Sequence, residues 1–206
     1  MIFGDVIHSR RDPAASSAWL RALCADLESA AGRAALAPFG FTQGDELQGL
    51  LRSSADPLGL ILRAALADDA RPMRWAVALG EVEPGRGPAT QRTGDAFVAA
   101  RTALDETRRR RTNLRIVTGI PAVDDLLDDL APVLGEALDR LSPTQRRVAR
   151  LILVDGLRRS EVADRLEVSR ATVSVAADRG GVPSLERLSR AIRTLVDRSR
   201  STEPGT

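Results

Sequence analysis

The stretch from residue 141 to 198, LSPTQRRVARLILVDGLRRSEVADRLEVSRATVSVAADRGGVPSLERLSRAIRTLVDR, most constrains what this chain can fold into. Two short segments with helical apolar spacing flank a tight turn. Ala163 stands midway along the first, where a larger side chain would push the second helix away. Val162, Ala163, Leu166, Val168, Val173 and Ala176 supply the apolar lock of a helix-turn-helix, with Val168 expected to fill the turn. Ser169 is placed to cap the next helix, 170–179, through its hydroxyl. That helix turns Arg170, Ala171, Ser174, Val175 and Asp178 away from the packed face, and with Ser169 and Thr172 most of this set are candidates for base edges in a major groove. Arg158, Arg159 and Arg179 flank it and suit phosphates. The expected partner is double-stranded DNA; the alternative is a set of short amphipathic helices that pack on one another and touch nothing.

The stretches TQRRVARLIL, SEVADRL and VSRATVS resemble the helix-turn-helix of sigma factor region four and of LuxR-type regulators. One residue departs. That pattern usually has glycine where Glu167 stands, at a turn position often left-handed, and a non-glycine residue there costs about 1 kcal/mol. A turn of a different type is the expected way around this cost.

Charge divides the chain in the same place. Residues 1–107 carry a net charge of −3 and residues 108–206 a net charge of +5, so the total of +2 hides a basic second half that suits nucleic acid. All 30 basic residues are arginine, which points to coding bias, and none is assigned a role for its fork geometry alone. At 206 residues and 43% hydrophobic content, the chain can bury a full core and divide into a larger and a smaller domain. No apolar run approaches the roughly 20 residues of a membrane span, and the N-terminus lacks a basic segment followed by an apolar one. The single Cys24 reads as a core residue. These features lead to the expectation of a cytoplasmic protein without membrane contact.

Strands and helices alternate through the first 120 residues. Ile2–Ile7 reads as a strand, Pro13–Ala31 as a helix, ALAPFGFTQGDELQGLL as a hairpin around Gly44, and Asp56–Asp69 as a helix. The strand MRWAVALGEVE follows, then a Gly/Pro loop over 84–93, a helix Thr93–Thr107, a charged turn Arg108–Arg111 and a last strand Leu114–Gly119. The class is α/β (α+β): a palm-like or ferredoxin-like α/β sandwich, with helices covering one sheet, followed by an all-α helix-turn-helix domain. The expected boundaries are 1–120 for the α/β domain, 121–140 for a linker helix, 141–198 for the helix-turn-helix domain and 199–206 for a disordered tail.

FGDVIHSR at 3–10, FTQGDELQGL at 41–50, RWAVALGEV at 74–82 and TGDAFVAAR at 93–101 resemble the SatD family, some members of which carry a C-terminal helix-turn-helix. Members usually begin a few residues earlier, which implies a short first strand or a displaced start. The resemblance implies a fold and a set of functional positions without defining a reaction. In this strand order Asp5, Asp45 and Glu46 converge, and such a cluster is costly unless a cation such as Mg²⁺, held partly by substrate phosphates, neutralises it. The placement is similar to the palm-like domains of nucleotide cyclases, diguanylate cyclases and polymerases. Asp5 and Asp45 either hold a metal or nucleotide or cap turns. His8, Ser9, Arg10, Gln48 and Arg101 are the candidate nucleotide contacts, with solvated surface as the alternative for His8 and Arg101 and a strand cross-link for Gln48.

Three function classes follow. The favoured one is a transcriptional regulator whose α/β domain senses a nucleotide or other phosphorylated ligand; the others are a metal-dependent nucleotidyl transferase or cyclase, and a non-catalytic assembly module. Leu185, Leu188, Ile192 and Leu195 recur at helical seam spacing, which serves either a homodimer or packing within the module.

Overall fold

The computed structural model describes residues 1–7, 13–42 and 46–202. The expected contacts His8, Ser9, Arg10 and Asp45 lie outside these residues. The α/β portion runs β1 (Ile2–Val6), α1 (Pro13–Ala31), β2 (Ala35–Phe41), β3 (Glu46–Leu51), α2 (Pro57–Ala65), β4 (Met73–Ala78), α3 (Asp95–Arg110) and β5 (Leu114–Val117). The strands form one sheet in the order β2-β3-β1-β4-β5. β1 is antiparallel to β3 and β4, and β2 to β3, which is the ferredoxin-like arrangement; β5 adds a parallel edge beside β4. The fold is α+β, as its sequence pattern predicts.

Alternation along the strands sends side chains to two different cores. Ile2, Val6, Leu47, Trp75, Val77 and Ile116 face α1, α2 and the later helices, while Phe3, Leu50, Ala76 and Ala78 face α3. Helices therefore cover both faces of this one sheet. The reason is the crossover: a chain leaving β4 and returning parallel as β5 must carry its helix over a face of the sheet, and α3 takes the face that α1 and α2 leave open. Gly94 permits this approach. Its backbone has φ of 123°, and a Cβ there would strike the backbone of Val82 and Glu83 just where α3 begins.

The run Arg108–Arg111, expected as a charged turn, instead completes α3, with Arg111 as a left-handed C-cap. Acids one turn earlier make this possible: Arg108 pairs with Asp105, and both Arg109 and Arg110 pair with Glu106. Cations at a helix C-terminus also suit its dipole.

The all-helical portion comprises α4 (Pro121–Asp139), α5 (Pro143–Leu153), α6 (Arg159–Leu166), α7 (Arg170–Arg179) and α8 (Val182–Thr202). α4 packs along β5 on one side and α8 on the other, and the main core is continuous from Ile2 to Val196. Leu185 and Ile192 are buried inside the chain, with Leu188 and Leu195 packed beside them, so the leucine seam is used internally. Residues 199–202, expected in the tail, continue α8, and Ser199 is buried. Three arginines bind the helical portion to the α2 region: Arg150 Nη1 donates to the Arg63 carbonyl at 3.1 Å, Arg193 Nε to Asp56 Oδ2 at 2.8 Å, and Arg200 Nη2 to the Ala55 carbonyl at 2.8 Å.

Candidate functional site

The helix-turn-helix is built from local rules that the sequence states openly. Ser142 and Gln145 form a capping box at the start of α5, and Pro143 occupies the first helical position. Glu161 accepts from the backbone N–H of Arg158 at 2.7 Å and from its guanidinium at 2.9 Å, closing the start of α6 and holding the Glu161 carboxyl below the usual carboxylate range. Val162, Ala163, Val173 and Ala177 are buried where α6 and α7 meet. Ala163 is the small residue at the crossing, as its place in the sequence requires.

The turn is the standard one. Glu167 adopts φ 54° and ψ 42°, left-handed despite its side chain, so the chain accepts the strain that a different turn would have avoided. Val168 does not fill the turn; it is 41% exposed, and the turn is held instead by the bond from its backbone N–H to the Ala163 carbonyl. Ser169 Oγ accepts from Thr172 N at 3.0 Å and caps α7 as expected.

Along α7, Arg170, Ala171, Thr172, Val175, Asp178 and Arg179 are exposed and Ser174 is half-buried, which presents the expected reading face to solvent. Two of the flanking arginines are restrained. Arg159 pairs with Asp178 at 2.8 Å, bracing α6 against α7, and Arg158 is held by Glu161. Arg170 and Arg179 make no ion pair with another described residue.

A second polar group lies on the sheet face beneath α3. Asp5 and Glu46 stand opposite one another on β1 and β3, and both are buried. Arg108 grips Asp5 with Nε on Oδ2 at 3.1 Å and Nη2 on Oδ1 at 3.0 Å, while Arg74 Nη1 approaches Oδ2 at 3.4 Å. Glu46 accepts from Gln48 Nε2 at 2.8 Å and from Arg101, whose guanidinium also lies 5.0 Å from the Phe3 ring centroid. The structure thus brings together Asp5, Glu46, Gln48 and Arg101. It adds Arg108, for which the signal is the acid spacing that makes 105–110 helical, and Arg74, which stands opposite Asp5 on β4. Each carboxylate oxygen of Asp5 and Glu46 already accepts from a guanidinium or an amide. The pair as arranged does not fit a Mg²⁺ ion. No group of three or more potential metal ligands occurs among the described residues.

With this geometry in place, comparison with known proteins gives one match. A family model described as sigma-70, region 4 matches residues 133–180, from the middle of α4 to the end of α7. No curated protein and no solved structure matches the chain. Residues 141–180 are therefore a helix-turn-helix of the kind that binds DNA in transcription. The match lies wholly beyond residue 120, so the SatD resemblance of the α/β portion rests on its motifs alone. No described helix is long and apolar enough to cross a membrane.

Proposed function

We propose that the chain is a DNA-binding transcriptional regulator in which α7 enters the major groove and the α/β domain passes the state of a bound ligand to it. The observation that carries this reading is the exposed face of α7, Arg170, Ala171 and Val175, set on a buried Val162–Ala163–Val173–Ala177 lock. Arg170 offers paired donors to guanine, and Ala171 and Val175 offer apolar contact to a thymine methyl. Support for ligand transmission comes from continuity: α4 connects β5 to α5, and Arg150, Arg193 and Arg200 tie the helices back to the α2 region.

The α/β domain is read as a sensor in preference to a cyclase because the acids a cyclase would commit to metal are held by Arg74, Arg101 and Arg108. A nucleotide on Gln48 and Arg101 must release Arg101 from Glu46. Fluorescence anisotropy with the full chain and labelled duplexes tests the proposal. Affinity is expected to fall steeply with salt, and Arg170→Ala is expected to lower specific binding about tenfold. Adding a nucleotide with Mg²⁺ in a parallel series tests that ligand class by a change in affinity. Absence of duplex binding at low salt overturns the regulator reading.

A further inference from the structure

A cavity of about 320 Å³ lies between the α/β domain and the helix-turn-helix, within the size range of small-molecule sites. Its wall comes from α2, the starts of β4 and β5, the C-terminal half of α4 and, through Arg146, α5. The lining is largely apolar: Ile61, Ala65, Met73, Trp75, Leu114 and Leu138. Four polar side chains join them, and they differ in one respect. Arg71 already donates to Ser16 and lies over the Trp19 ring, and Asn113 already donates to Asp139 at 2.5 Å. Arg146 alone of the four makes no side-chain hydrogen bond and no ion pair with any described residue, although it is half-buried and its Nε is fully enclosed. An enclosed guanidinium N–H without an acceptor is a cost that a ligand oxygen on this wall would offset.

The second polar misfit is on the same wall. Asn113 Oδ1 is buried without a donor and is pressed against Gly135, where an added Cβ would overlap it. Glycine in the middle of α4 costs helix stability, so the close approach of the amide is the reason only this residue fits there.

We propose that this cavity binds a small organic monocarboxylate with an apolar body, its carboxylate on Arg146 and its body against Trp75 and Leu138. A monoanion is favoured over a phosphate because the Asp139 carboxyl also lines the cavity and disfavours a second negative charge there. Its carboxyl is itself pushed above the usual range, by desolvation first, with Arg146 acting in the opposite sense. Because Arg146 belongs to α5 and Gln145 beside it lies against Gly180 at the end of α7, an occupant acts directly on the reading module. That consequence rests on the regulator reading above; ligand binding itself does not.

The test uses the full chain, with thermal shift and calorimetry against benzoate, indole-3-acetate and 4-methylpentanoate, the matched amide benzamide, and inorganic phosphate. At least one carboxylate is expected to bind while benzamide and phosphate do not. Arg146→Gln is expected to weaken it about tenfold, and Ala65→Phe, which fills the cavity while circular dichroism confirms the fold, to abolish it. Failure of every carboxylate, equal binding of benzamide or phosphate, or full binding by both variants overturns the proposal. Duplex affinity measured on the same samples without ligand separates loss of this site from loss of the regulator reading.

Discussion

Asp5 and Glu46 are directly opposed residues of β1 and β3, two carboxylates in the position where like charges destabilise a sheet, and one guanidinium spans them. Arg108 Nη2 lies 3.0 Å from Asp5 Oδ1 and 3.8 Å from Glu46 Oε2. Arg108→Gln is expected to cost about 1–2 kcal/mol in urea unfolding, less than a fully buried pair because the Arg108 side chain is 39% exposed. Adding Asp5→Asn should restore most of the loss, since it removes the repulsion along with its remedy. A loss near zero in the single variant would show that Arg74 and Arg101 suffice.

The left-handed backbone of Glu167 gives a prediction of opposite sign. Glu167→Gly removes the Cβ strain at φ 54° and is expected to stabilise the chain by about 1 kcal/mol, or roughly 2–4 °C in melting temperature. Glu167→Val, with a branched Cβ at the same angle, should lower it. Equal melting temperatures for all three proteins would mean that the turn relaxes without cost.

How much of this was legible in the sequence depends on how local each determinant is. The α1 helix, Pro13–Ala31, matches its apolar spacing end to end, and the lock of Ala163 with Val173 and the Ser169 cap were readable because each acts within a few residues. Glu167 stands out in the sequence as the odd residue, but which of two responses the chain makes depends on packing across the whole motif. The acid face is half legible: strand order puts Asp5 beside Glu46 and period 2 puts Gln48 on the same face, yet nothing local says that the β4–α3–β5 crossover carries Arg101 and Arg108 over them. Arg146 and Asn113 come to line one cavity only through tertiary folding, and no spacing rule links them.

Cys24 provides a pH-dependent test. Burial first, and Glu28 second, push its thiol up to about 11. The native protein should therefore react with a thiol reagent at pH 8 only as fast as it opens. The sign for stability follows from the raised value: below about pH 8 the thiol is neutral in both states and contributes no slope. Between about 9 and 11 the unfolded chain ionises first, so stability falls as pH rises. Urea midpoints of the wild type and Cys24→Ala should converge across that window, and a constant gap between them would contradict the assignment.

Asp56 does two jobs that substitutions can separate. Its Oδ1 caps α2 by accepting from Gly59 N at 2.9 Å, and its Oδ2 holds Arg193 of α8 at 2.8 Å. The ion pair is solvent-screened, with side chains 34% and 49% exposed, so Arg193→Ala is expected to cost no more than about 0.5 kcal/mol. Asp56→Ala loses the cap as well and should cost about 1–2 kcal/mol. Asp56→Asn keeps an accepting oxygen for Gly59 and should behave like Arg193→Ala. If Arg193→Ala instead matched Asp56→Ala in unfolding free energy, the tether of α8 rather than the cap of α2 would be the dominant role, and loosening it should also change the duplex affinity of α7, because α8 follows α7 directly and packs on α4.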